Sequence, residues 1–172
     1  GACANAGQTC TGVERIYVHE RVYDDFLAEL IDKAKDLRAY DGPDSPIGPI
    51  TMPSQIDVIR SHIQDAIDRG GRAVIGGVDA VGERFVQPTI LVDVPEDSLA
   101  VQEETFGPTI TVAKVKNMDE AIERTNGTRY GLASTVFSQE RGMELAGRIR
   151  SGMTAVNGVI TFAGVPSLPF GG

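Results

Sequence analysis

Three short stretches of the sequence contain residues that could do chemistry. NAGQTC at 5–10 ends in Cys10, EETFGP at 103–108 holds two acids and an aromatic, and LPFGG stands at 168–172. The residues around Cys10 are small or polar rather than apolar. Glycine flanks let backbone N–H groups approach a ligand, and such groups favour a thiolate or an oxyanion. This setting predicts a nucleophilic thiol; the alternative is a small buried core residue, the usual place of a free cysteine.

The second stretch places an acid and an aromatic in a short turn. Glu104 and Phe106 lie two residues apart, and Gly107-Pro108 follows them directly. Carboxylates bind ribose hydroxyls well, and an aromatic side chain packs against a flat ring. The pair therefore predicts a ligand clamp, with a carboxylate on a solvated loop as the alternative.

Two further stretches are rich in glycine. Gly171-Gly172, after an aromatic, permits close backbone packing against a neighbouring segment, although a frayed end has the same composition. GGVDAVG at 76–82 lacks the GxGxxG spacing of a dinucleotide-binding loop, so it predicts a turn between strands.

Composition and charge argue against several classes of binding partner. The 172 residues carry a net charge of −8 and are 41% hydrophobic, which is typical of one folded globular domain. An acidic surface repels phosphate backbones, so we expect no nucleic-acid partner. No run approaches the roughly 18 apolar residues of a membrane span, so no membrane partner is expected. The two cysteines and two histidines lack metal-site spacing, so no metal is predicted.

Hydrophobic periodicity predicts alternating strands and helices. The isoleucines of 53–69 form a helical stripe, and strands appear as short apolar or alternating runs. Asn117, with Glu120 three residues later, and Ser138 predict helix N-caps. The predicted helices cover 24–38, 53–69, 117–126 and 138–150, and the predicted strands cover 15–19, 72–77, 85–94, 109–115, 131–137 and 154–157.

This order predicts an α/β fold, a three-layer sandwich with a mostly parallel sheet, over the single domain 1–172. The proline-rich stretch 41–53 is interpreted as a surface connection within that domain. Pro88 predicts an edge position or a bend for the segment 85–94. Ligands gather beyond the carboxyl ends of parallel strands, which places Asn157 near the working edge.

In this order along the chain, the motifs resemble those of the aldehyde dehydrogenase superfamily. The 5–10 stretch resembles its active-site cysteine motif and the 103–108 stretch its cofactor-ribose motif, while Asn157 with 169–172 resembles its C-terminal signature. The resemblance covers essentially the whole chain. One departure is Cys3, where the family usually has an aromatic residue; we expect a change of packing more than of chemistry.

The resemblance implies covalent catalysis by Cys10. Its thiolate attacks an aldehyde carbon to give a thiohemiacetal, whose oxyanion is held partly by the Cys10 N–H. Hydride leaves to NAD or NADP, and water then releases a carboxylic acid from the thioester. Glu104 would bind the nicotinamide-ribose hydroxyls, with Phe106 beside the nicotinamide. The residues expected to line the substrate pocket are Thr9, Thr11 and Phe162.

The same resemblance implies that other parts lie upstream of Cys10. They are the cofactor domain, the amide donor to the oxyanion and the glutamate general base. The resemblance also implies an oligomerisation arm built largely from segments outside this chain. Glu14, Glu20 and Glu29 all follow the cysteine, so none matches that base. We expect a cysteine-bearing catalytic domain cut from a longer cytoplasmic enzyme, a dimer or tetramer of identical chains. Alone, the chain is expected to be nearly inactive and to self-associate.

Several alternatives stay open within and beside this family. The 158–167 loop loosely resembles enzymes that oxidise succinic semialdehyde, yet no Arg or Lys occurs after Arg150 to bind an acidic substrate. A general aliphatic or aromatic aldehyde fits equally. Relatives that pass the thioester to coenzyme A, phosphate-reductase relatives and a non-catalytic binding protein are the rival functions. Intact Cys10, Glu104 and Phe106 favour an enzyme over the last of these.

Overall fold

A four-stranded sheet forms the centre of the computed structural model, which describes residues 1–172. Its strands are β1 (Arg15–His19), β2 (Arg72–Ile75), β3 (Thr89–Val92) and β4 (Thr109–Val115). They lie in the order β1-β4-β3-β2. β4 runs parallel to both of its neighbours, and β2 closes one edge as the antiparallel strand.

A second, two-stranded sheet follows later in the chain. It pairs β5 (Ala133–Val136) with β6 (Met153–Val156) in parallel, and Ala133 lies opposite Met153. Three of the four strand pairs are therefore parallel, which confirms the expected mostly parallel sheet. The helices are α1 (Glu20–Ala34), α2 (Pro53–Asp68), α3 (Leu99–Gln102), α4 (Met118–Thr125) and α5 (Gly142–Ala146).

Strand β3 is buried on both faces and separates two core clusters. Ile90 and Val92 pack with α1 in one cluster, and Leu91 packs with the isoleucine stripe of α2 in the other. Because successive side chains of a strand point to opposite faces, α1 and α2 lie on opposite sides of the sheet. The three-layer arrangement is confirmed.

Helix α1 is displaced from the predicted range 24–38. It starts directly after β1, where the His19 side chain accepts a hydrogen bond from the Arg21 N–H at 3.2 Å. Tyr23, 7% exposed, already belongs to its buried face. The helix ends at Ala34 because Leu37 packs against the α2 cluster on the other side of the sheet.

The helix predicted over 138–150 is much shorter. α5 covers only Gly142–Ala146, and Ser138 Oγ accepts from the Arg141 N–H at 3.1 Å in the turn before it. After Ala146 the backbone bonds change to the tighter i to i−3 pattern. In contrast, the Asn117 cap is confirmed, since its side chain accepts from the Glu120 N–H at 2.9 Å.

Of the two expectations for Pro88, the edge position is wrong and the bend fits, since the predicted segment 85–94 is interrupted there between the Val81–Val86 bridge and β3. The strand begins one residue after it, and β3 lies between β4 and β2. A proline has no N–H to donate to the strand ladder, so it occurs where the ladder has not begun. The 76–82 stretch forms the expected turn, with a 3₁₀ segment at Val78–Ala80. No helix has the length and apolar character that a membrane crossing requires.

Candidate active site

Cys10 stands at the tip of a turn that precedes β1. Asn5, Ala6 and Gly7 all have left-handed backbones, with φ of 52°, 57° and 73°. The chain then reverses at a turn closed by the Gly12 N–H, which donates to the Thr9 carbonyl at 2.8 Å. Cys10 is exposed there, and Thr9 and the residue after Cys10 are half-buried on either side of it.

Gln8 joins this cysteine turn to the proline-rich connection. Its Nε2 donates to the Pro49 carbonyl at 3.1 Å, and its Oε1 accepts from the Thr51 N–H at 2.8 Å. A side-chain amide can satisfy one carbonyl and one N–H together. The 41–53 stretch therefore supports the cysteine turn, a role that its composition did not indicate.

The 103–108 stretch lies directly against the cysteine turn. A Cβ on Gly7 would come within 2.0 Å of the Gly107 carbonyl oxygen and 2.7 Å of the Pro108 nitrogen. Only a glycine permits this approach, and its φ is also in the left-handed region. The two motifs predicted as cysteine and cofactor sites are thus brought together.

Thr105, in the middle of that stretch, is held by three side chains. Its N–H donates to Glu14 Oε2 at 2.9 Å, and its carbonyl accepts from Gln55 Nε2 at 2.8 Å. His62 Nδ1 lies 3.1 Å from Thr105 Oγ1. Both Gln55 and His62 belong to α2, so the loop is fixed from that helix and from Glu14, which directly precedes β1.

Glu14 is the functional residue that sequence reasoning missed. Its second oxygen, Oε1, accepts from the Phe106 N–H at 2.8 Å. Burial raises the pKa of the Glu14 carboxyl, the two backbone hydrogen bonds oppose that rise, and the charge of Glu104 adds to it. A carboxylate directly before an apolar strand was the available signal, but its partners are some 90 residues away along the chain.

The predicted clamp residues differ in exposure. Glu104 is exposed, and Phe106 is half-buried with a left-handed backbone at φ 48°. The preceding Glu103 pairs with Arg129 and accepts from the Tyr130 hydroxyl at 2.9 Å. This pairing connects the stretch to the segment that enters β5.

Asn157 connects the carboxyl ends of β5 and β6. Its Oδ1 accepts from the Ser138 N–H and its Nδ2 donates to the Ser138 carbonyl, both at 2.9 Å. The loop that follows reaches the start of the chain, since a Cβ on Gly1 would lie 2.8 Å from Val13 and 3.0 Å from Val159. The loop after β6 thus lies beside the segment that carries the cysteine turn.

Phe162 belongs to the same loop after β6. It occupies a 3₁₀ segment, Thr161–Gly164, and is half-buried. This placement is on the same side of the small sheet as Asn157, at the carboxyl ends of the strands.

The third motif lies at the opposite end of the small sheet. A Cβ on Gly172 would be 2.5 Å from the Gly131 carbonyl oxygen, and a Cβ on Gly152 would overlap the Gly171 carbonyl oxygen. These contacts are at the amino ends of β5 and β6, whereas Asn157 is at their carboxyl ends. The close backbone packing expected of the glycine pair occurs, away from the cysteine turn.

The two cysteines lie in different surroundings. Cys3 is half-buried and packs against the α2 cluster, and burial raises the pKa of its thiol. A buried thiol of raised pKa is a poor nucleophile, because the thiolate is the reactive form. Of the two, Cys10 is the exposed residue.

Comparisons with known proteins identify the family of this chain. The profile of the aldehyde dehydrogenase family matches residues 1–172. A mitochondrial aldehyde dehydrogenase of Leishmania tarentolae is 38% identical over 98% of this chain and 34% of its own length. The NADP(+) succinate-semialdehyde dehydrogenase 2 of Schizosaccharomyces pombe is 34% identical over 98% of this chain and 35% of its own.

Solved structures give the same result. The crystal structure of an NAD-dependent aldehyde dehydrogenase from Sinorhizobium meliloti superposes with a TM-score of 0.92 at 29% identity. The superposition covers 100% of this chain and 35% of the Sinorhizobium meliloti chain. The chain thus spans about a third of the length of the relatives it matches. The fold and the match over all 172 residues show that this chain belongs to the aldehyde dehydrogenase family.

Proposed function

We propose that the chain provides the nucleophile and part of the cofactor site of an aldehyde dehydrogenase that uses NAD or NADP. The reaction converts an aldehyde to a carboxylic acid. The observation that carries the proposal is the contact between two motifs: Gly7, in the Cys10 segment, lies against Gly107, beside Glu104 and Phe106. A nucleophile and a cofactor-binding pair on adjoining loops can face the same substrate atom.

Cys10 performs the covalent step. Its sulfur adds to the aldehyde carbon, and the carbonyl oxygen becomes an oxyanion. The N–H of Cys10 takes part in no backbone hydrogen bond, so it is available to that oxygen. After oxidation of the adduct, water cleaves the resulting thioester and restores the thiol. Covalent catalysis of this kind suits a thiol, which is the most nucleophilic ordinary side chain near neutral pH.

Glu104 and Phe106 fit the nicotinamide end of the cofactor. Glu104 is exposed, and the next residue of the same loop, Thr105, is buried and hydrogen-bonded to three side chains. An exposed carboxylate on a fixed backbone suits ribose hydroxyls, and a half-buried aromatic suits a flat ring. The bound nicotinamide supplies the acceptor for the aldehyde's hydride. Either cofactor fits, because these residues lie at the end that NAD and NADP share.

The remaining functions belong to a further part of the enzyme. The chain covers about a third of its relatives' length, and it has no GxGxxG loop for the cofactor phosphates. We place phosphate binding, the general base and the amide donor to the oxyanion outside residues 1–172. The chain by itself is then nearly inactive.

The substrate pocket is assigned to the residues beside the nucleophile. Thr9 and Thr11 flank Cys10, and Phe162 lies in the loop after β6. None of the three is charged, and no Arg or Lys follows Arg150. Binding of a small uncharged aldehyde therefore needs no charged group in this pocket. Binding of an acidic aldehyde requires a basic residue from the part of the enzyme outside residues 1–172.

Exposed apolar side chains support the proposed assembly. Phe137, Met143 and Phe170 are 66%, 79% and 71% exposed, and such surface favours association. We assign a homo-oligomer, a dimer or tetramer, to the whole enzyme. Both thiols are free, as is usual in the reducing cytoplasm. We place the enzyme in that compartment.

The test follows nicotinamide absorbance in the whole protein that carries this chain. A panel of aldehydes is offered with NAD⁺ and with NADP⁺, in the presence and absence of coenzyme A. We expect cofactor reduction in the wild type and in Cys3→Ser, and none in Cys10→Ser. Turnover that requires coenzyme A would replace the proposal with the acyl-transferring relative. No reduction by a folded wild type would favour the binding protein.

A further inference from the structure

One carboxylate joins the cysteine segment, residues 7–14, to the predicted cofactor loop, residues 103–108. Glu14 lies four residues after Cys10, and its two oxygens accept from the N–H groups of Thr105 and Phe106 at 2.9 and 2.8 Å. These are the two residues that directly follow Glu104. Hydrogen bonds to an ionised carboxylate are roughly twice as strong as neutral ones.

The bonded backbone is one that needs support. Phe106 has a φ of 48°, in the left-handed region that a bulky side chain seldom adopts. Such a conformation is unfavourable and persists only where the surroundings hold it. The Glu14 oxygen on the Phe106 N–H is the contact that faces this residue directly.

The helix side of the loop is held separately. Gln55 and His62 of α2 bind the carbonyl and hydroxyl of Thr105, and neither contacts the cysteine segment by hydrogen bond. Without Glu14, Thr105 would keep these two contacts, but both N–H groups would lose their acceptor. The loop would then keep the contact between Gly7 and Gly107 but lose the hydrogen bonds that join Thr105 and Phe106 to Glu14.

We propose that Glu14 is a positioning residue that holds Glu104 and Phe106 in the orientation that binds the cofactor. Both of its oxygens are engaged by backbone N–H groups, so it acts through the loop and not on the substrate. The inference rests on the proposed function, since it concerns the same cofactor site. It adds that one segment of eight residues, from Gly7 to Glu14, sets the place of both nucleophile and cofactor loop.

The variants separate charge from size. Glu14→Gln keeps the shape, but its amide offers one acceptor and turns an NH₂ group toward the second backbone N–H. Glu14→Asp keeps the charge on a shorter stem and retains one of the two bonds. Glu29→Gln makes the same chemical change as the first variant on the exposed face of α1 and is the matched control.

The experiment measures KM for the cofactor and kcat in the whole enzyme, together with the amide proton shifts of Thr105 and Phe106 in the chain. For Glu14→Gln we expect the cofactor KM to rise about tenfold, the loss of roughly one charge-assisted hydrogen bond, with kcat changed less than about threefold. The amide signals should move upfield. Glu14→Asp should fall between wild type and Glu14→Gln, and Glu29→Gln should match wild type.

The outcomes separate the two proposals. An active wild type whose Glu14→Gln form is folded and keeps its cofactor KM would overturn the positioning role, even if its melting temperature falls. Amide shifts of Thr105 and Phe106 that ignore the substitution would also overturn it. A folded wild type that neither binds nor reduces a nicotinamide cofactor would instead overturn the proposed function and this inference with it.

Discussion

Gly7 and Gly107 meet backbone to backbone, and this contact joins the two stretches that carry the chemistry. A methyl group on Gly7 would lie 2.0 Å from the Gly107 carbonyl oxygen. No side chain is involved, so flexible atoms cannot relieve a clash. The relationship predicts that the site tolerates no larger residue at position 7.

Gly7→Ala is expected to destabilise the chain by at least about 2 kcal/mol, from the left-handed backbone and the overlap together. Urea unfolding of wild type and variant measures the difference. Gly48→Ala is the control, because a Cβ at Gly48 meets nothing within 4 Å and its φ is not positive. Equal stability of the two variants would contradict the close contact.

Asn157→Ala should loosen the carboxyl ends of β5 and β6. The variant loses two hydrogen bonds to Ser138 and places alanine at a φ of 56°. We expect a cost of roughly 1–3 kcal/mol in the free energy of unfolding. Asn157→Gly loses the same bonds without the backbone strain, so it should cost about 1 kcal/mol less. If glycine is as costly as alanine, the left-handed conformation is not a source of the effect.

His62 should make stability fall in mild acid. Burial lowers its pKa below the ordinary 6.5, with the charges of Glu103 and Asp65 opposing the shift. The unfolded chain then binds a proton more readily, so stability present above pH 6.5 is lost as the pH falls through the folded pKa. The slope is at most about 1.4 kcal/mol per pH unit.

The measurement compares the free energy of unfolding near pH 7 and near pH 5 in wild type and in His62→Gln. The wild type should lose more than the variant, because glutamine does not titrate. A parallel loss in both proteins would show that His62 contributes nothing to the acid sensitivity.

Alkylation should distinguish the two thiols. Cys10 is exposed, whereas burial both shields Cys3 and raises the pKa of its thiol. With iodoacetamide at neutral pH we expect Cys10 to be labelled at least about tenfold faster. Peptide mapping by mass spectrometry measures both rates, and Cys10→Ser should leave only the slow one. Faster labelling of Cys3 would contradict the burial described for it.

Elements with strong hydrophobic periodicity were readable from the residues alone. The isoleucines of α2 repeat at helical spacing and all face one core cluster, so the helix was predicted to within one residue. Asn117 capped its helix as expected, because a cap depends only on the next turn. The family resemblance was equally readable, since its motifs are short runs of adjacent residues.

Element ends were decided less locally. α1 stops before Leu37 because that side chain packs across the sheet, and α5 ends early where its backbone tightens. Such ends depend on which core a residue reaches, and periodicity does not report that.

The hydrogen bonds that fix the site are long-range, so they are visible in the folded chain and in no local sequence pattern. Glu14 reaches residues some 90 positions away, and Gln8 reaches Thr51 at 43. The position of Glu14 directly before a strand is the single local sign of its role, and it does not identify its partners. Those partners are backbone N–H groups, which every residue but proline possesses. Long-range backbone contacts also place Gly171 and Gly172 at the amino ends of β5 and β6, away from the cysteine turn. Motifs therefore identified the chemistry, while long-range packing set the positions of the groups that perform it.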